Sequence, residues 1–398
     1  MANSILTPTA VTRAALAILH QKLNFIGSIN RQYDDSFAKE GAKIGDSLKI
    51  RLPNEYTVRS GMTMSAQDTT ESSTTLQVSS VKGVDLNFTS TELALSIQDF
   101  SDRILEPAMS VLAANIEADA LNMYKDIYNV SDEDGTAVSL KSYLFGRKIL
   151  NDNLAPPDAN RTALISTDHS VKLVDALKGL FHDSAAVTKQ YKDGMMGRTA
   201  GFSFMENTLL VPHTTGTAAK TTAYLTNSAS AQTGSTLVVD TGTTSFLVGD
   251  VITIAGVFRV HPETKVSTGQ LQQFVITANS GTSATSLSIS PAIVASGGRQ
   301  NVTNGAADNQ AIVKVAAGAS ETMTPSLVYH KDAFTFATAD LPLPKGVDFA
   351  AREVMDGISM SIVRDFNISD RSFPCRLDVL YGYKTLRPQL AARIHADG

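Results

Sequence analysis

One cysteine, Cys375, is all that the 398 residues contain, so no intramolecular disulfide and no cysteine-based metal site can form. That usage fits a reducing compartment. Charge is scarce as well: Asp, Glu, Lys and Arg make up 18% of the chain, against 43% hydrophobic residues. Light charge suits a molecule that buries surface against neighbours, because interface cores are depleted in charge; a Ser/Thr-rich surface facing water reads the same way. Basic stripes are missing. With 34 Lys and Arg against 39 Asp and Glu, the net charge is −5, and no run of five like charges occurs. Tight binding to nucleic-acid phosphate is not expected, since counterion release from a basic stripe supplies most of that affinity. No stretch approaches the ~18 consecutive apolar residues of a membrane span. Near the start there is only a six-residue apolar run, Ala14–Leu19 after Arg13, short for a signal segment. A soluble chain with no recognisable export route is expected.

Catalytic patterns are missing too. There is no phosphate-cradling GxxxxGK[ST], no GxGxxG, no HExxH and no GxSxG elbow. The seven histidines are scattered, with no pair at a ligand spacing. Thr167-Asp168-His169-Ser170 groups an acid, an imidazole and hydroxyls, but neighbours at a helix start do not face one another, and Thr167 or Asp168 reads as a helix cap. Asp132-Glu133-Asp134-Gly135 fails as a calcium loop, because the twelfth position holds Tyr143 where a carboxylate is needed. Cys375 reads as a packed thiol. No catalytic, metal or cofactor residue is assigned, and no enzyme is expected.

What is present is an order of elements. The first forty residues read as an extended or partly helical arm, with a short helical stretch from Ala14 ending near Asn24–Gly27. Ser47–Leu52 alternates with period two and stops at Pro53; Leu76, Val78, Val84, Leu86 and Phe88 form a return arm, with Gly83 read as a bulge. Such a ribbon is marginal alone and needs another surface. Its cations Lys49, Arg51 and Arg59 are candidates to meet acidic groups on a neighbouring molecule. Ile104, Ala108, Leu112, Ile116, Ala120, Met123 and Ile127 then make one apolar stripe, predicting a short turn from Asp99 and a long helix with Pro107 in its first turn. Helices at Ser139–Leu150 and Asp168–Phe181 and strands at Thr162–Ile165 and Leu209–Val211 follow.

Between about Pro212 and Thr324 the composition turns to Ser, Thr, Gly, Ala and Asn. Short β runs at Thr236–Asp240, Val251–Val260, Leu271–Ala278, Ser286–Ser290 and Ala311–Val315 are spaced by turns, as in a small sandwich or barrel. After Pro325 strands return at Leu327–His330, Ser359–Arg364 and Arg376–Lys384. An α+β body interrupted by an inserted all-β module is the reading.

This order, with three local segments, resembles the major capsid proteins of tailed phages, which have the HK97-type fold, and among them the P22-like coat proteins with an inserted β-barrel. The segments are Gly249-Asp250 through Gly256, as a strand of the insertion; Tyr381-Gly382 through Arg387-Pro388, as the closing strand and its exit; and Asp99–Tyr128, as a spine helix. The resemblance implies residues 1–44 as N-terminal arm, 45–90 as E-loop hairpin, 91–135 as spine helix, 136–212 plus 325–398 as peripheral and axial body, and 213–324 as insertion domain. It implies a coat protein that self-assembles, as hexamers and pentamers, into an icosahedral head shell around packaged double-stranded DNA. A separate scaffolding protein and a portal protein would be its partners, assembly would occur in the host bacterial cytoplasm, and no membrane would be involved. The alternative is a tail or decoration protein of the same particle. In the family a charged loop of the insertion contacts the next capsomer; here the matching stretch, Asn227–Gly234, carries no charge, which favours folding support for the body as the module's role.

Overall fold

The computed structural model describes residues 8–34, 47–59, 61–64, 66, 72–88, 104–133, 135–177, 198–355, 357–368 and 372–396. The turn expected from Asp99 lies outside these, as do 178–197 and part of the hairpin tip. The chain forms two compact units: residues 1–51, 73–121 and 334–386 make one, and 52–72, 122–333 and 387–398 the other.

The first unit is built on a six-stranded sheet in the order Asn30–Asp34, Phe334–Ala339, Phe373–Thr385, Ile358–Arg364, Phe349–Met355, with Ser80–Phe88 also paired to Phe373–Thr385. Asn30–Asp34 runs parallel to its neighbour and the other pairs are antiparallel. Helix Glu106–Leu121 packs near this sheet. Its sequence is rich in Ala and Leu and free of Gly, Pro107 occupies the first turn where no amide donor is needed, and Glu106 complements the helix dipole. Ala108, Leu112, Ile116 and Ala120 are buried, as the stripe predicts. Glu117 is buried too: its Oε1 accepts the Phe25 amide at 3.1 Å. The arm also departs from expectation. It forms a 15-residue helix, Pro8–Lys22, opened by a proline at its first position, and Val11, Ala15, Leu16 and Leu19 pack it into the unit's core.

The ribbon differs as well. Ser47–Leu52 pairs with Ser72–Gln77, but Ser80–Phe88 leaves that pair and joins the large sheet. Its register with Phe373–Tyr381 is unbroken, so Gly83 is no bulge. Ser80 and Lys82 continue the same alternating face as polar members. Gly83 is needed because a Cβ there would lie 2.6 Å from the Leu377 carbonyl oxygen and against the Asp378 carboxylate.

The second unit holds another six-stranded sheet, in the order Val130–Asp132, Ala391–His395, Ser326–His330, Arg161–Ile165, Phe202–Glu206, Arg198–Thr199. Its three strands Ala391–His395, Ser326–His330 and Arg161–Ile165 are buried along their whole length, which covering of both faces requires. Helix Leu140–Asp152, capped by Ser139 with Ser142 in reciprocal hydrogen bonds, lies close on one face because Gly146 places no Cβ against Val328. Helix Thr167–Leu177 is capped by Ser166, whose Oγ accepts the His169 amide at 3.2 Å; neither Thr167 nor Asp168 is the cap. Leu209–Val211 is not a strand, although Leu210 is buried.

In the same unit six strands close into a barrel: Thr222–Thr226, Gly234–Asp240, Ser286–Ile293, Ser267–Ile276, Val251–Val260 and Ala311–Val315 in spatial order. Closure leaves no free edge, and Tyr224, Leu237, Phe246, Ile252, Ile254, Phe274, Leu287 and Ile312 fill the interior. The mixed α+β class with an inserted closed barrel is the architecture expected from the sequence.

Candidate functional site

The three hairpin cations do not share one role. Lys49 and Arg51 are exposed on strand Ser47–Leu52. Arg59 folds back on its own turn, donating from Nη1 to the carbonyl oxygens of Gly61 and, at 2.9 Å, Thr63. Beside polar residues the tip presents large apolar side chains to water: Val58 is 94% exposed, Met62 100% and Met64 81%. The sequence showed the methionines, but not their exposure.

Tyr381 is fully buried. Its hydroxyl donates to Asp119 Oδ2 at 2.6 Å, and Lys82 Nζ meets the same oxygen at 2.7 Å, so a strand and the long helix are tied through one carboxylate. Burial, then the bonded Asp119 charge, pushes the Tyr381 hydroxyl's pKa upward. Gly382 is required by close approach, since a Cβ there would press on the Gln77 and Val78 backbone. Arg387 and Pro388 shape the exit: the Arg387 amide bonds Ala333 O at 3.1 Å, and Pro388 opens a short 3-10 turn through Leu390. Burial raises the Cys375 thiol to about 12, which keeps it protonated and inert.

Gly249, Asp250 and Gly256 belong to the barrel. Gly256, at φ +76°, lies where the register of Val251–Val260 shifts against Ser267–Ile276. Gly249, at φ +99°, leads into Asp250, which is buried where the barrel meets the strand Ala391–His395. Asp250 Oδ2 accepts the amides of Gly216 and Leu247, both at 2.9 Å, and Oδ1 faces His213 Nε2 at 3.1 Å. With the ring proton on Nε2, His213 Nδ1 accepts from the Tyr124 hydroxyl at 3.2 Å. Burial lifts Tyr124 to about 12, so its proton stays in place. An apolar seam of Tyr128, Val130, Val251, Val275 and Ala316 runs beside this chain, and Gln273 bonds both the amide (2.7 Å) and the carbonyl (3.1 Å) of Val130. Buried Arg393, His395 and Lys314 complete the surroundings. Sequence reasoning had singled out Asp250 but not its partners, which lie far away in the chain.

Two histidines make this unit acid-sensitive. His395 is held well below its ordinary value by burial and then by Arg393, with His213, His169 and Lys220 adding to it; His169 is lowered by burial, against an opposing pull from Asp168. A histidine with a depressed folded pKa contributes stability above its unfolded value of about 6.5, and that stability is lost as pH falls below it. The melting midpoint should fall between pH ~7 and ~5, at up to roughly 1.4 kcal/mol per pH unit for each histidine. Melting curves that stay level over that range would show that both rings protonate without cost.

Among the described residues, no group of three or more His, Cys, Asp or Glu is placed to hold a metal ion, and no helix is long and apolar enough to cross a membrane. The family described as "P22 coat protein - gene protein 5" matches residues 30–393. The chain belongs to the P22 coat protein family, and is accordingly a major capsid protein, a structural subunit of a phage virion shell and not an enzyme. Among solved structures, one from Mycobacterium phage Che8 is 11% identical, covering 94% of this chain and 90% of its own, with a TM-score of 0.47. The capsid of Cyanophage P-SCSP1u is 12% identical, covering 94% and 89%, with a TM-score of 0.45. The CUS-3 coat protein I-domain is 32% identical over 26% of this chain and 96% of its own, with a TM-score of 0.18. No curated protein sequence matches the chain.

Proposed function

We propose that the chain assembles as hexamers and pentamers into an icosahedral head, guided by a separate scaffolding protein, joined to a portal protein, and enclosing double-stranded DNA without gripping it. Assembly takes place in the host bacterial cytoplasm. Residues 1–44 serve as the arm, 45–90 as the E-loop, 91–135 as the spine, 136–212 plus 325–398 as the peripheral and axial parts, and 213–324 as the insertion domain. The observation that carries this reading is the tip with Val58, Met62 and Met64 clustered and turned to solvent, since a grouped exposed apolar patch marks a surface that another molecule covers. The net charge of −5 supports a wall that releases its contents. Barrel loop Asn227–Gly234 bonds back to its own module, Ser228 N to Asp308 at 2.9 Å and Gln232 to Val238 at 2.7 and 3.0 Å. That supports bracing of the body as the barrel's role, in place of an inter-capsomer ion pair.

Negative-stain imaging tests the proposal. Produced together with its scaffolding protein, the chain should give closed shells of uniform size, and alone it should give irregular or open ones. Discrete rings or trimers under both conditions would instead indicate a tail or decoration protein.

A further inference from the structure

The barrel junction buries nitrogen donors that no acceptor among the described residues meets. Arg393 is 1% exposed, and its Nε and Nη2 have no hydrogen-bond acceptor. The Tyr124 ring lies 6.0 Å from its guanidinium carbon, and the charges of Asp250 and Asp126 favour its protonated form. Lys314 is equally buried and is held by neutral acceptors, Gly318 O at 2.7 Å and Gly216 O at 3.4 Å. Asp250, the carboxylate lining the same space, has both oxygens engaged by the His213 ring and two backbone amides. Residues 393 and 395 project from the same face of their strand, so the Nε2 of buried His395, also without a partner, turns the same way as Arg393. Both line a cavity of about 10 Å³, with Val130, Thr215, Gly249 and Asp250 around it.

We propose that this cavity is a binding site for one small monovalent anion of halide size. The volume admits a single atom-sized guest. The unmatched groups decide its chemistry. Guanidinium nitrogens donate only, and His395 with its ring proton on Nε2 adds a third donor. A water molecule can accept from no more than two of these three donors and brings no charge to offset the guanidinium. An anion accepts from every unmatched donor and neutralises a guanidinium that burial drags down to about 10. Bound there, it bridges strand Ala391–His395 to the turn that begins the barrel strand Val251–Val260. The site is independent of shell assembly and would operate in the unassembled subunit.

The test is the melting temperature of the full-length unassembled chain in chloride and in gluconate at equal ionic strength. Chloride should raise it by about 5 °C and then saturate, as ligand binding to the folded state does. Gluconate, too large to enter, should have no such effect. Arg393→Met should make the two salts equivalent. Should that variant not fold, chloride-35 line broadening on the wild-type chain, reversed by bromide, reports the same site without a substitution. Equal melting in both salts, or no excess broadening, would overturn the proposal and leave the cavity to water.

Discussion

Asp250→Ala should cost the chain about 3–5 kcal/mol, the range for removing one partner from a buried charged network. The carboxylate is 2% exposed and takes two backbone amides and the His213 ring, so its loss leaves three donors in a space with no replacement acceptor. Each unmet donor costs about 1–3 kcal/mol, and the damage spreads because His213 also holds Tyr124. Those partners come from the barrel turn, from the segment preceding the barrel and, through His213, from the 3-10 turn Asn122–Asp126, so one substitution loosens all three. In a melting experiment the shift should be about 4–10 °C. Asp250→Asn should lose roughly half as much, since an amide oxygen can serve Gly216 and Leu247 while its NH2 faces the ring. Glu263→Ala, at an exposed position on a barrel turn, should stay within about 0.5 kcal/mol of the parent. A loss under ~1 kcal/mol for Asp250→Ala would show that the junction is held by its apolar seam alone.

This residue also shows how far the sequence could be read. Gly249-Asp250 stood out because a glycine and an acid ahead of an alternating apolar run signal a turn entering a strand. Nothing local pointed to His213, 37 positions earlier, or to Arg393, buried in a strand whose neighbours are alanines and isoleucine. Local pattern identified what is locally determined: the stripe of Glu106–Leu121, and barrel strands such as Val251–Val260 and Ala311–Val315 set off by turns. It failed where burial on both faces erases alternation, as in Phe334–Ala339, and where a strand is polar, as in Asn30–Asp34. Thr222–Thr226 escaped notice among residues of the same Ser/Thr/Ala composition, yet closing the barrel depends on it. The surroundings of the hairpin cations were hidden for another reason. Charge is visible in a sequence, but a self-satisfied Arg59 and an uncovered Met62 become visible only when contacts are known.

Replacing Val58, Met62 and Met64 together by serine should leave the subunit's melting temperature unchanged while closed shells disappear. The three side chains are almost wholly exposed, and exposed substitutions usually move stability by no more than about 0.5 kcal/mol each. Covering such a side chain against another subunit gains roughly 1.5–3 kcal/mol, a contribution repeated at every equivalent contact of a shell. Because the contacts form together, a modest loss at each becomes a collective failure to close. Substituting Lys49 or Arg59 by glutamine should matter far less, since exposed ion pairs contribute about 0–1 kcal/mol and Arg59 already bonds its own turn. Added salt separates the two pictures once more: apolar contacts persist when charges are screened, so shell yield should hold as ionic strength rises. Normal shells from the triple-serine chain would remove the tip from the assembly mechanism, and shells that dissolve with salt would return the role to the cations.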